Sequence, residues 1–231
     1  MIIEMALSGF LFLFILVLFV AMAAFGKLET GAIIEISDDD LDAKLQKFNN
    51  APNKFQISMV LSLIHNLSVI ALPIMLFIVF SPYNILLGIV WTTFRIGEGL
   101  ILIYNDINYR GLLNIARQYS VASGTEKNSL SDFGRTIFLK NSSRFTFGMV
   151  LWAIGTLAYS ILFVIYGVVP PIIGWLGIVA SIFVGFYNGI KLVKPNIKGV
   201  LITFLSIGAL LAILFELIIG GWLLFFGIIT P

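Results

Sequence analysis

Residues 145–166 read FTFGMVLWAIGTLAYSILFVIY, twenty-two positions without one charged side chain. An α-helix rises about 1.5 Å per residue, so about 20 apolar residues cross a hydrocarbon layer roughly 30 Å thick. The stretch therefore predicts a membrane span. Working outward from it, five more stretches meet the same condition, near Met5–Phe25, Ile57–Phe80, Ile85–Tyr104, Ile172–Leu192 and Val200–Phe225. The expected fold class is an all-α polytopic membrane bundle. It is read as a single transmembrane domain over residues 1–231, with six spans and short interfacial helices on the cytoplasmic side.

Composition excludes the alternatives. The chain has 231 residues, 59% of them hydrophobic and 11% charged, with a mean hydropathy of +1.04. Water-soluble domains carry about 25% charged residues, and disordered chains have few apolar groups. A net charge of +2 is too small for a nucleic-acid footprint. The absence of cysteine removes disulfides, thiolate metal sites and cysteine nucleophiles. Met1-Ile2-Ile3-Glu4 lacks the basic start of a signal peptide. Although Ala21-Met22-Ala23 resembles a cleavage site, the expectation is that the first stretch is retained as a span.

Apart from Arg95, the thirteen basic residues fall in the first, third and fifth connections. The links Ser81–Asn84 and Gly167–Pro171 have none. Basic residues beside spans stay cytoplasmic, so both termini are expected outside. The two link segments are short enough to tie their spans into antiparallel hairpins. In the first loop Ser37-Asp38-Asp39-Asp40 predicts a helix start, with Leu41, Leu45 and Phe48 as its apolar stripe. Leu112, Ile115, Ala116 and Tyr119 form a similar stripe. Phe133, Ile137 and Phe138, flanked by Arg135, Lys140 and Arg144, predict a short interfacial helix. Gly177, Ser181, Gly185 and Gly189 make a small-residue ridge on the fifth span, as Gly208, Ala212, Glu216 and Gly220 do on the sixth, with one acid among them. Pro73 predicts a kink in the second span.

Ionisable groups inside spans cost about 2.5–3.5 kcal/mol on insertion scales and turn toward the bundle. Four lie there: His65, Arg95, Glu98 and Glu216. Arg95 and Glu216 fall within roughly 2 Å of the same depth, and Glu98 and His65 also share a level. Two pairs are thus allowed, Arg95 with Glu216 and Glu98 with His65. Arg95 and Glu98, three apart on one helix, offer a third. Ser58, Ser62, His65 and Asn66 share one face, as do Thr92, Arg95, Glu98 and Gly99, with Asn188 and Tyr159 adding an amide and a phenol. Arg95, Glu98, Glu216, His65 and Asn188 are accordingly the candidate ligand-binding residues. A balanced Arg/Glu set can satisfy itself, so the first reading is a structural charge network.

Other chemistry is weakly signalled. Asp38-Asp39-Asp40-Leu41-Asp42 contains the Asp-Asp-x-x-Asp string of magnesium-diphosphate enzymes, but no second acidic cluster faces it, and the helix-start reading is preferred. His65 with Glu98 and Glu216 makes a poor metal set. Asp132-Phe133-Gly134 stands without other kinase elements. Ser62 and His65 form no triad unless Glu98 orients them. No Walker loop, Gly-x-Ser-x-Gly or His-Glu-x-x-His occurs. No catalytic residue, metal or cofactor is expected. The expected partners are membrane lipid and other membrane subunits or a second copy of the chain, not nucleic acid.

Asp40 to Asn53 leading into the second span, Phe94-Arg95-Ile96-Gly97-Glu98 in the third, and Pro170-Pro171 followed by Gly174-Trp175-Leu176-Gly177 resemble a bacterial and archaeal family of six-span membrane proteins known as a domain of unknown function. The resemblance covers most of the chain and implies an Arg-x-x-Glu element at Arg95 and Glu98. It implies no activity. The functional expectation is a non-enzymatic packing or accessory membrane protein. A small transporter or ligand-binding protein using the Arg/Glu/His seam comes second, and a lipid-modifying enzyme third.

Overall fold

The computed structural model describes residues 2–24, 38–194 and 200–225. They form α1 (Ile2–Ala24), α2 (Asp38–Asn50), α3 (Pro52–Phe80), α4 (Ile85–Val121), α5 (Gly124–Tyr166), α6 (Pro171–Val193) and α7 (Val200–Phe225). All but α2 are long and apolar enough to cross a membrane, so the chain is a multi-pass membrane protein. The Lys27 region and the Ser37 cap lie outside the described residues.

The connections follow from their residues. Asn84 caps α4, its Oδ1 accepting from the Leu87 N–H at 3.0 Å, which satisfies one donor of the first turn. Gly167 ends α5 at φ +61°, its N–H donating to the Phe163 carbonyl at 3.1 Å. Only glycine takes this left-handed position cheaply. Pro171 then opens α6, where a missing N–H costs nothing. The Asn84 amide donates to the Tyr166 hydroxyl at 3.3 Å, tying the two short links together.

Two compact units result. The first comprises Met1–Val17, Asn66–Leu100 and Thr146–Pro231. Phe12, Leu72, Leu76, Trp91, Tyr159, Leu162, Phe163, Phe215 and Ile219 are buried in its main core. The Tyr159 ring stacks on Phe215, and Phe12 meets both edge-on. Lipid gives helices no hydrophobic reason to associate, so backbones must approach closely. The small-residue ridges do this. A Cβ on Gly185 would stand 3.0 Å from that of Ala153, one on Gly208 3.1 Å from that of Phe183, and one on Gly220 2.9 Å from that of Phe12. Ser181 turns its hydroxyl back to the Gly177 carbonyl at 2.7 Å. Gly189 faces open space. The α7 ridge thus serves two neighbours, α6 at Gly208 and α1 at Gly220. Pro73 lies within an unbroken α3, and its carbonyl accepts from the Trp91 indole at 3.3 Å.

The second unit comprises Leu18–His65 and Ile101–Phe145. Leu41, Leu45 and Phe48 of α2 are buried with Phe55, Tyr109, Leu112, Ile115, Ala116, Tyr119 and Phe138, as their stripes predict. Ser131 donates to Asp42 at 2.8 Å, and the Tyr119 hydroxyl does the same. Two expected short helices are extensions of spans instead. The Leu112–Tyr119 stripe ends the 37-residue α4, and the Phe133–Phe138 segment begins the 43-residue α5. Helix hydrogen bonding does not stop where apolar composition stops, and no proline interrupts either segment. The turn comes at Gly124, with φ +57°. Nor does the Phe133–Phe138 face lie wholly on a surface, because Phe138 is fully buried while Phe133 is exposed.

Candidate functional site

In the first unit α4, α5 and α7 each contribute to one polar cluster in an apolar surround. Arg95 and Glu98 stand one turn apart on α4, so they share a face. The Arg95 Nη1 lies 2.5 Å from the Glu98 Oε2, with side-chain exposures of 1% and 3%. This is the pair that spacing along one helix offered, rather than the Arg95–Glu216 pair that depth allowed. Glu216, half-buried on α7, does not take Arg95 as its hydrogen-bond partner. Its Oε1 accepts from the indole Nε1 of Trp152 on α5 at 3.2 Å. The Arg95 guanidinium carbon lies 5.8 Å from the centroid of the Trp152 ring, at the outer range of a cation–π contact. Trp152 therefore touches both cation and acid, offering its π face to one and its N–H to the other. Arg95 and Glu216 still sense each other's charge.

Space for the arginine is made by Gly155. A Cβ there would meet the Arg95 Cγ at 2.6 Å and Cδ at 3.0 Å. One turn further along α5, the Tyr159 hydroxyl donates to the Thr156 hydroxyl at 3.0 Å, both residues being fully buried. The Arg95 Nε, though buried, has no hydrogen-bond partner.

The other predicted site residues are placed differently. Asn188 is buried, but its amide donates to the Val184 carbonyl of its own helix at 2.8 Å. His65 belongs to the second unit and is half-buried. The charges acting on Glu98 are those of Arg95 and Glu216. Thr92 donates to the Pro73 carbonyl at 3.4 Å, and Ser58 to that of Phe55 at 2.7 Å, so both hydroxyls serve backbone. Among the described residues no three His, Asp or Glu side chains converge as metal ligands. In the second unit the Asp42 carboxylate is occupied by Ser131 and Tyr119. Trp152 and Gly155 are the members that sequence reasoning passed over. The signal was present, since tryptophan favours the membrane–water interface and Trp152 lies eight residues beyond the last charge before its span.

The chain belongs to the family described as Domain of unknown function (DUF4386), whose model matches residues 7–227. No curated protein and no solved structure matches it.

Proposed function

We propose that this member of the DUF4386 family is a non-catalytic membrane protein whose Arg95–Glu98–Glu216 cluster holds α4, α5 and α7 in fixed order. The supporting observation is Trp152 of α5, which donates to Glu216 of α7 at 3.2 Å and lies 5.8 Å from the guanidinium of Arg95 on α4, itself in a buried pair with Glu98. A substrate site must be reached, and neither partner is. Removing one member of the Arg95–Glu98 pair strands the other's charge in an apolar medium, and the contacts of Trp152 carry the cluster from α4 to α5 and α7. Lipid is the immediate partner in this reading, covering exposed apolar side chains such as Ile182, Phe186, Leu210 and Leu217. Both termini face outward, following the placement of the basic residues.

The absence of cysteine gives a clean labelling test. Thr156→Cys, beside the cluster, is expected to resist a membrane-impermeant maleimide until the protein is denatured. Rapid labelling in the native protein would instead indicate a water-filled pathway and a transporter. In intact cells Pro82→Cys is expected to label from outside, and Lys127→Cys only after the membrane is opened. The reverse pattern would invert the orientation.

A further inference from the structure

The cluster contains one fixed cation and two carboxyl groups. Arg95 places its Nη1 on Glu98, while Glu216 receives only the neutral N–H of Trp152. With both acids ionised the cluster would carry one uncompensated negative charge inside a membrane span, where charge is expensive. Two carboxylates sharing a site also oppose each other's ionisation. The groups of other elements do not resolve the imbalance. Tyr159 on α5 points its hydroxyl at Thr156. The titratable groups of α1 (Glu4) and of α6 (Tyr187 and Lys191) are not among those acting on Glu216, which are Arg95, Trp152 and Glu98. From Asn66 to Phe80, α3 has no titratable side chain.

A second observation is independent of charge counting. Arg95 keeps a buried donor, Nε, without a partner. The guanidinium thus has one N–H in reserve for another anion, and Glu216 is the acid whose charge reaches it.

We propose that the Arg95–Glu98–Glu216 cluster is a proton-binding site, in which Glu216 carries one exchangeable proton in the resting protein. On release the O–H bond breaks, its electron pair stays on the carboxylate and the proton passes to water. Glu216 is half-buried rather than enclosed, so a single water can be the acceptor without the water-filled pathway of a transporter. The new carboxylate then turns from the Trp152 indole to the waiting Nε of Arg95. This deepens the reading of the cluster as a clamp and rests on it, adding a ligand and a second hydrogen-bonding state.

The test is infrared spectroscopy of the full chain in phosphatidylcholine nanodiscs at neutral pH, reading the C=O stretch of protonated carboxyl groups. The wild type is expected to show such a band, shifted by exchange into D2O. Glu216→Gln is expected to abolish it. So is Glu98→Gln, because Glu216 then ionises to become the counter-ion of Arg95. Trp152→Phe is expected to keep the band and raise its frequency, since the carbonyl oxygen loses its donor. A wild type without the band, or a band that survives in either glutamine variant, overturns the proposal. If a glutamine variant fails to accumulate, an unshifted band in Trp152→Phe overturns it alone. The clamp fails on different evidence, the stability of Arg95 and Glu98 variants, so the two failures are distinguishable.

Discussion

Gly155 lies directly beneath the aliphatic stem of Arg95, so that a single methyl group on it would come within 2.6 Å of the arginine Cγ. The glycine gives the buried arginine stem its room, and the backbone carbonyl of Trp91, also on α4, is 3.3 Å from the same point. Gly155→Ala should therefore lower stability by about 1–3 kcal/mol, the usual range for overpacking. Thermal unfolding in detergent checks this. Gly189→Ala, where no heavy atom lies within 4 Å, is the control expected to leave the midpoint unchanged.

The close approach of α1 to α7 should be less forgiving. A Cβ on Gly9 would stand 2.6 Å from the Gly220 carbonyl oxygen and 2.9 Å from the Leu223 carbonyl carbon. Backbone atoms cannot rotate away as a side chain can, so Gly9→Ala must push the helices apart. It is expected to destabilise more than Gly155→Ala, whereas Gly221→Ala, with open space before it, should be silent. Melting curves of the three variants should fall in that order.

Trp152 performs two tasks that substitution can separate. Trp152→Phe retains an aromatic face for Arg95 and deletes the N–H that reaches Glu216. Loss of a buried hydrogen-bond partner costs about 1–3 kcal/mol. Trp152→Leu removes the ring as well and should cost more. Equal midpoints for the two variants would show that the ring contact with Arg95 contributes nothing.

Tyr119 gives the second unit an alkaline sensitivity. It lies beyond the membrane-crossing part of α4, fifteen positions after Tyr104. Burial, and then the Asp42 carboxylate that accepts its hydrogen bond, push its phenol from the ordinary 10.0 up to about 12. A raised value in the fold means that the neutral phenol is favoured there. The stabilisation is complete below pH 10 and is lost as pH rises through about 12. Unfolding midpoints of the wild type should therefore fall across that window more steeply than those of Tyr119→Phe. Parallel curves would contradict the account.

The six spans were legible because long, predominantly apolar runs have few other fates. So were the α2 stripe of Leu41, Leu45 and Phe48 and most of the glycine ridges, which rest on helical spacing alone. The ends of α4 and α5 were not legible. The apolar run stops near Tyr104 and begins near Phe145, but nothing in those segments breaks a helix. Depth arithmetic placed Arg95 level with Glu216 without saying how either helix is rotated, and rotation decides which pair forms. The i,i+3 pair of Arg95 and Glu98 needs no such knowledge, and it is the one found. Trp152 carried a signal in its place near the start of its span, but Gly155 did not, because a glycine in an apolar run shows its use only once the Arg95 stem is known to lie against it. Asn188 shows the converse. An amide in a span invites a functional reading, yet its own helix offers the Val184 carbonyl one turn away.

The central claim is that Arg95 and Glu98 are a mutually dependent buried pair, and a double-mutant cycle of unfolding free energies tests it most directly. Arg95→Met should cost about 3–5 kcal/mol because it strands the charge of Glu98, Glu98→Met should cost less because Glu216 can become the counter-ion of Arg95, and the double variant should recover most of the Arg95→Met loss. Single variants as stable as the wild type, or a double variant whose loss is the sum of the two, would contradict it.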